Sequence, residues 1–383
     1  MIASLGAAIL AMLVAADSVR WRTEVASEGR ARNEPGPGEH AEVGEMELRA
    51  RLGLVALDAP ELAELTYAPR VLLQRTFFGS SLATGNATQQ AGQLRLGARL
   101  APTTVLSWYT TTEWGMVDYS PLSGAPIASG VSLPAQRFVS TLALETMLDL
   151  SHRFSSRLRF STRAGFRRSG GLGYDAVQIL PRQMGPAATA RVEWDATRTS
   201  LLSVVADVAE HRFSARQFGA LSSVLAAWTV HTSRQVVVEA AGGGAVFRSL
   251  DGRFTEYPAA VLGVAVENHP REDRVVRGSV RARLVPAINS FVEQVTETLR
   301  GEATAALSDG RFRILVEGSS GYAVRGADRG ARDVRFGARS DWALTRTWSI
   351  EGGLRTAWTN QTVFRGWQSE AFIGLRFGDA GAL

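Results

Sequence analysis

Hydrophobic and polar residues alternate along most of the chain with a period of two. In the stretch from Arg157 to Arg167, Leu158, Phe160, Thr162, Ala164 and Phe166 fall on one side. Arg157, Arg159, Ser161, Arg163, Gly165 and Arg167 fall on the other. A strand sends successive side chains to opposite faces, so this is a strand with one apolar and one polar face. The same reading holds from Met46 to Leu54, Leu94 to Leu100, Leu142 to Leu150, Phe312 to Val316, Val334 to Trp342 and Ala371 to Phe377.

The pattern predicts an all-β chain of about 18 strands. They begin near Ser18, Glu45, Glu61, Gln90, Thr104, Arg137, Ser156, Ala187 and Thr199, then near Phe218, Gln235, Tyr257, Val275, Phe291, Arg311, Asp333, Thr347 and Gln368. One strand in about 20 residues is the density of a single closed antiparallel transmembrane β-barrel. Between Glu267 and Ser290 the pattern also fits a 16-strand count.

The connections alternate in length. Asp58–Pro60, Ala101–Thr103, His152–Ser155, Asp195–Arg198, His231–Arg234, Ser308–Gly310 and Leu344–Arg346 are short. Gly29–Gly44, Phe77–Thr88, Gly115–Gln136, Arg168–Gly185 and Ala323–Arg332 are longer. Short turns face the periplasm and long loops the outside in barrels of this type. Trp21, Trp194, Trp228, Trp342 and Trp348 share the apolar parity and lie near the N-terminal entry or a short turn, as does Phe377 at the far end. Aromatic side chains favour a membrane interface, so these six predict a periplasmic girdle. Trp108 fits this set less well.

Residues Ile2–Ala16 are apolar and run into Asp17 and Ser18. They read as a signal peptide (residues 1–16, cleaved after Ala16) ahead of a barrel over 17–383, which predicts export to the outer membrane of a Gram-negative bacterium.

Composition narrows the job further. The 383 residues include no cysteine, which excludes disulfides and cysteine-ligated metal centres. All 42 basic residues are arginine, and the net charge is only +5. So small and evenly spread a charge does not suggest nucleic acid as a partner.

Inward parity places Arg20, Arg22, Arg49, Arg51, Arg95, Arg99, Arg157, Arg159, Arg163 and Arg191 on the wall of the lumen. It adds Arg277, Arg281, Arg283, Arg300, Arg311, Arg313, Arg335, Arg339, Arg355 and Arg376. The acids Glu24, Glu47, Glu145, Asp149, Glu193, Glu302, Glu317, Asp341, Glu351 and Glu370 share that face. Two readings follow: a ladder of ion pairs that hydrates the wall, or a selectivity surface. Arginine forks bind carboxylate and phosphate, and arginine rings favour anions in pores. The ninth to twelfth strands instead present small or neutral residues, among them Ser203, Val205, Ser223, Leu225, Ala241, Gly243, Val261 and Gly263. A long loop such as Gly115–Gln136 folded into the lumen would cover them.

Nothing in the sequence points to catalysis, a metal or a cofactor. Asp207 and His211 share a face, but a strand separates them by about 13 Å. The glycine clusters Ser169–Gly173 and Ala241–Gly244 lack a following helix and are not phosphate cradles.

The C-terminal segment Ala371–Phe377, AFIGLRF, resembles the terminal strand by which outer-membrane barrels are recognised for insertion, except that Gly378–Leu383 follow the usual terminal aromatic. By size and strand number the chain resembles polysaccharide-export barrels of the outer membrane, the alginate-export and Wzp-type barrels. The resemblance implies membrane lipid, the barrel-insertion machinery and a separate periplasmic polysaccharide-export protein as partners. The expected task is passage of a polar, anionic or hydroxyl-rich polymer. The alternatives are a general diffusion porin for small anions or sugars, and a structural or assembly barrel with a filled lumen.

Overall fold

The computed structural model describes residues 19–35, 40–58, 61–78, 86–118, 138–213, 218–271, 273–289, 294–326, 329–360 and 365–378. The expected signal peptide and most of the Gly115–Gln136 connection lie outside them.

Eighteen strands follow one another in chain order. They are β1 (Val19–Pro35), β2 (His40–Asp58), β3 (Glu61–Phe78), β4 (Ala87–Ala101), β5 (Thr104–Asp118) and β6 (Phe138–Arg153). Next come β7 (Leu158–Ser169), a helical turn α1 (Tyr174–Ile179), β8 (Gln183–Asp195), β9 (Ser200–Phe213), β10 (Phe218–His231), β11 (Val236–Ser249) and β12 (Phe254–Arg271). Then follow β13 (Arg274–Asn289), β14 (Gln294–Asp309), β15 (Phe312–Arg325), β16 (Arg332–Ala343), β17 (Trp348–Asn360) and β18 (Arg365–Gly378). The ambiguous region resolves into two strands, β12 and β13, joined by a tight turn, so the count is 18.

Each strand pairs antiparallel with its neighbours in sequence, and β18 pairs with β1 from Glu24↔Gly378 to Asn33↔Ser369. That last pairing closes the sheet. In hydrocarbon an unpaired strand edge has no water to satisfy its amides, so closure is obligatory. The shortest strand has 12 residues and the longest 19, more than the ~9–11 that span a bilayer.

Local chemistry sets the tight turns. Ser155 Oγ accepts the amide of Leu158 at 3.0 Å, Ser233 Oγ that of Val236 at 3.1 Å, and Thr345 Oγ1 that of Trp348 at 3.0 Å. A hydroxyl three residues before the returning strand thus ties off the turn without lengthening it. In the β14–β15 turn Gly310 holds φ +51°, which side chains resist.

Candidate functional site

The two faces of the barrel differ as the alternation requires. Trp21, Leu262, Val280, Leu354 and Ile373 point outward and are all more than half exposed. The inward face carries carboxylates and guanidiniums, and Glu28, Arg32, Glu45, Glu47, Glu351 and Glu370 are buried there. Charges withdrawn from solvent need partners, and the lumen wall supplies them.

The densest lattice straddles the β1–β18 seam. Arg49 Nη2 donates to Glu28 at 2.7 Å and to Glu351 at 3.3 Å. Glu351 also accepts from Arg339 at 2.6 Å and from Arg376 at 3.1 Å. Arg30 bridges Glu28 and Glu47, and Arg70 Nη2 reaches Glu47 at 2.8 Å. Arg32 donates to Glu45 at 2.6 Å, and Arg355 to Glu370 at 3.1 Å. The lattice matches its arginines with carboxylates almost one for one, with Glu24, Asp118 and Asp341 completing the set.

Arg30 and Arg32 correct the sequence reading, which puts them in the Gly29–Gly44 connection. Strand β1 in fact runs on to Pro35 and β2 starts at His40. Their outward neighbours, Ala31 and Asn33, are too small or too polar to mark a lipid face, so the alternation fades while the pairing continues. Phe372 is a second omission, an aromatic on the inward face. Its ring packs over Gly353, where a Cβ would come within 2.9 Å of it, and Arg355 caps it at 4.4 Å from the centroid. The only sequence signal was its parity with Glu370.

A second, more open ladder lines β5 to β8. Arg163 Nε donates to Asp149 at 2.6 Å while its guanidinium lies 5.1 Å from the Tyr109 ring centroid. Tyr109 donates to Glu145 at 2.6 Å, and Arg167 pairs with the same carboxylate at 3.1 Å. Arg159 reaches Asp195 at 3.2 Å. Farther round, Arg281 pairs with Glu239 at 2.7 Å, Arg283 with Glu302 at 2.9 Å, and Arg335 lies 3.5 Å from Asp333.

Arg157 and Arg311, expected on the wall, lie instead in the tight turns just before β7 and β15. By pairing, the arginines expected on the wall fall into two groups. Arg49, Arg159, Arg163, Arg281, Arg283, Arg335, Arg339, Arg355 and Arg376 are ion-paired. Arg51, Arg95, Arg99, Arg157, Arg311 and Arg313 are exposed and have no carboxylate within ion-pair distance among the described residues. Parity alone cannot separate the groups, because pairing depends on register between strands.

The small-residue wall lies on β9 to β12, where Leu225 is opposite Gly243 and Ala241 opposite Val261. Its one buried-side carboxylate on β9, Asp207, is held by Thr189 at 2.6 Å and Ser223 at 3.5 Å rather than by His211. A concavity of about 600 Å³ joins Arg51, Gln93, Thr111, Glu145, Arg167 and His211 across the neighbouring strands.

Among the described residues, the connection between β7 and β8 folds inward. Gly171 extends the ladder by pairing with Thr141, then α1 turns back so that Ala176 and Leu180 cover Val139. Val139 has the inward parity of Glu145 and is buried. The sequence reading treats Arg168–Gly185 as plain loop, because a six-residue helix is too short to show a period of 3.6. At the same outer end Arg325 lies 5.1 Å from the Tyr257 ring centroid and donates to the Glu256 carbonyl at 3.2 Å, linking β15 to β12.

Trp21, Trp194, Trp228, Trp342, Trp348 and Phe377 all face outward near the end with the tight turns, and each is exposed. The rings of Trp348 and Phe377 stand 4.9 Å apart. Trp108 also faces outward, and its indole donates to Thr146 at 2.9 Å.

With this geometry in place, the sequence matches one family description over residues 11–369. The chain belongs to the EpsX exopolysaccharide export family. No curated protein sequence matches it. Among solved structures, this EpsX-family barrel is similar to OccAB4 of Acinetobacter baumannii, with a TM-score of 0.50 and 9% identity over 95% of this chain and 99% of that one. It is also similar to the FrpB iron transporter from Neisseria meningitidis, with a TM-score of 0.52 and 8% identity over 91% of this chain and 64% of that one. At such identities the likeness is one of fold: an outer-membrane β-barrel.

Proposed function

We propose that this EpsX-family barrel is the outer-membrane conduit for a polar polysaccharide leaving the cell, fed by a separate periplasmic export protein. The observation that carries the reading is the inner wall. It combines charged lattices with a smooth face of small residues on β9 to β12, inside a chain of an exopolysaccharide export family. Hydroxyl-rich polymers exchange hydrogen bonds readily with arginine and carboxylate side chains, and an anionic polymer gains charge-assisted bonds as well. The tryptophans and Phe377 seat the barrel at the periplasmic interface. The terminal strand β18 is the segment offered to the insertion machinery.

Deletion of the gene, complemented by the wild-type chain, tests this reading. Cell-surface polysaccharide should vanish on deletion, polymer should collect in the periplasm, and both should revert on complementation. Unchanged surface polysaccharide in the deletion strain would overturn it.

A second reading is a diffusion pore for small anions or sugars, favoured by the exposed arginines that make no ion pair among the described residues. It requires that small solutes flow through the reconstituted barrel and that polymer export be untouched by deletion.

A further inference from the structure

The arginines of the lumen differ in their pairing. On the wall that runs from β15 through the closing seam to β4, the seam lattice matches its arginines with carboxylates, from Arg32 near the far end of β1 to Arg376 and Glu351 within three residues of the tight-turn end of their strands. Arg20, Arg22, Arg51, Arg95, Arg99 and Arg313 face inward on the same wall without a carboxylate in ion-pair distance among the described residues, and all six are exposed. Arg20 and Arg22 stand at the start of β1, Arg99 at the end of β4 and Arg313 at the start of β15, at the end that holds the start of β1, the close of β18 and the tight turns. Arg95 stands four residues above Arg99, and Arg51, Arg95 and Arg313 stand opposite Glu24, Glu64 and Asp341 in register without forming an ion pair with them. The tight turns themselves carry exposed Arg198, Arg234 and Arg346.

We propose that these six inward arginines form a capture face for an acidic polysaccharide, one bearing carboxylates along its chain, as it enters from the periplasm. This deepens the export reading, on which it rests for the direction of travel.

The physical argument is one of available partners. A guanidinium with no internal ion pair is free to offer its fork to a carboxylate of the polymer. Arg95 and Arg99 are spaced by about 13 Å along one strand, so they can hold two acidic groups of one extended chain. In the seam lattice each guanidinium already holds a carboxylate of the barrel, so an acidic polymer must compete there with resident anions. Conduction needs binding favourable enough to enter and weak enough to leave, and the exposed side chains of the six leave each contact open to water and to exchange.

The test is blockade of single-channel current through the purified full-length barrel in a planar bilayer. The probes are oligogalacturonate and maltohexaose, neutral and of similar length, each added to one side at a time. The acidic probe at the periplasmic side should block more often than at the outer side, and more often than the neutral probe at either. The triple variant Arg22→Gln, Arg95→Gln, Arg99→Gln should lower the block frequency by ~tenfold, and raised salt should do the same to the wild type. Equal blockade by both probes, or by the acidic probe from both sides, overturns the proposal. So does a triple variant that inserts, conducts and blocks like the wild type. Failure here with polysaccharide export intact leaves the export reading standing. Side-selective acidic blockade in a barrel whose deletion leaves export unchanged overturns export and keeps the capture face.

Discussion

Arg49 on β2 and Glu351 on β17 are 302 residues apart in the chain and meet at 3.3 Å inside the barrel, across the two strands that form the closing seam. Glu351 takes three guanidiniums at once, those of Arg49, Arg339 and Arg376. It ties β2 to β16, β17 and β18 by side chains, beside the backbone ladder that joins β1 to β18.

Replacing Glu351 with glutamine should leave those guanidiniums facing one another. Removing one partner of a buried pair costs about 3–5 kcal/mol. The expected result is a barrel that unfolds at lower urea in detergent micelles, with its heat-induced gel shift at lower temperature. Reversal potentials should also move toward anions, since a negative charge is lost from the wall. A variant as stable as the wild type would show that the lattice contributes nothing to closure.

The β7–β8 connection offers a narrower test. A Cβ on Gly171 would lie 2.3 Å from the carbonyl carbon and oxygen of Ala176. Both are backbone atoms that cannot swing aside. Gly171→Ala should therefore push α1 off Val139, which raises conductance or current noise while thermal stability changes little. Unaltered conductance would mean that α1 does not narrow the outer mouth.

The lipid face can be probed at Leu354, in the middle of β17 and 62% exposed. Leu354→Arg places a charge near the bilayer midplane, at a cost of about 2–4 kcal/mol. Equilibrium folding into lipid vesicles should report that loss. Arginine at Ala241, on the lumen side, should fold without it. Equal losses at the two positions would contradict the assignment of faces.

The smooth wall is separable from the charged one. Ala241→Trp adds bulk opposite Val261 without adding charge. Single-channel conductance should fall while the ion preference stays where it was. A change in preference with no change in conductance would place Ala241 away from the conduction path.

Most strands were legible because lipid on one side and polar groups on the other demand alternation, and alternation survives in any segment whose outward residues are large. The starts read from the sequence at Glu61, Thr104 and Phe218 coincide with those of β3, β5 and β10. The alternation is lost where outward residues are small or polar, as at Ala31 and Asn33, and the pattern therefore assigns Arg30 and Arg32 to a loop. The pattern also misses α1, whose six residues are fewer than two helical turns.

From the sequence alone came the class, the strand count and the side of each strand that meets lipid, since these depend only on the order of residues along one strand. The partners of each arginine came only with tertiary structure. Whether Arg49 finds Glu351 while Arg95 makes no ion pair among the described residues depends on strand register and on closure of β18 against β1, which bring together residues from opposite ends of the chain. Ion pairing acts over a few ångströms across strands, and no pattern read along one strand contains that distance.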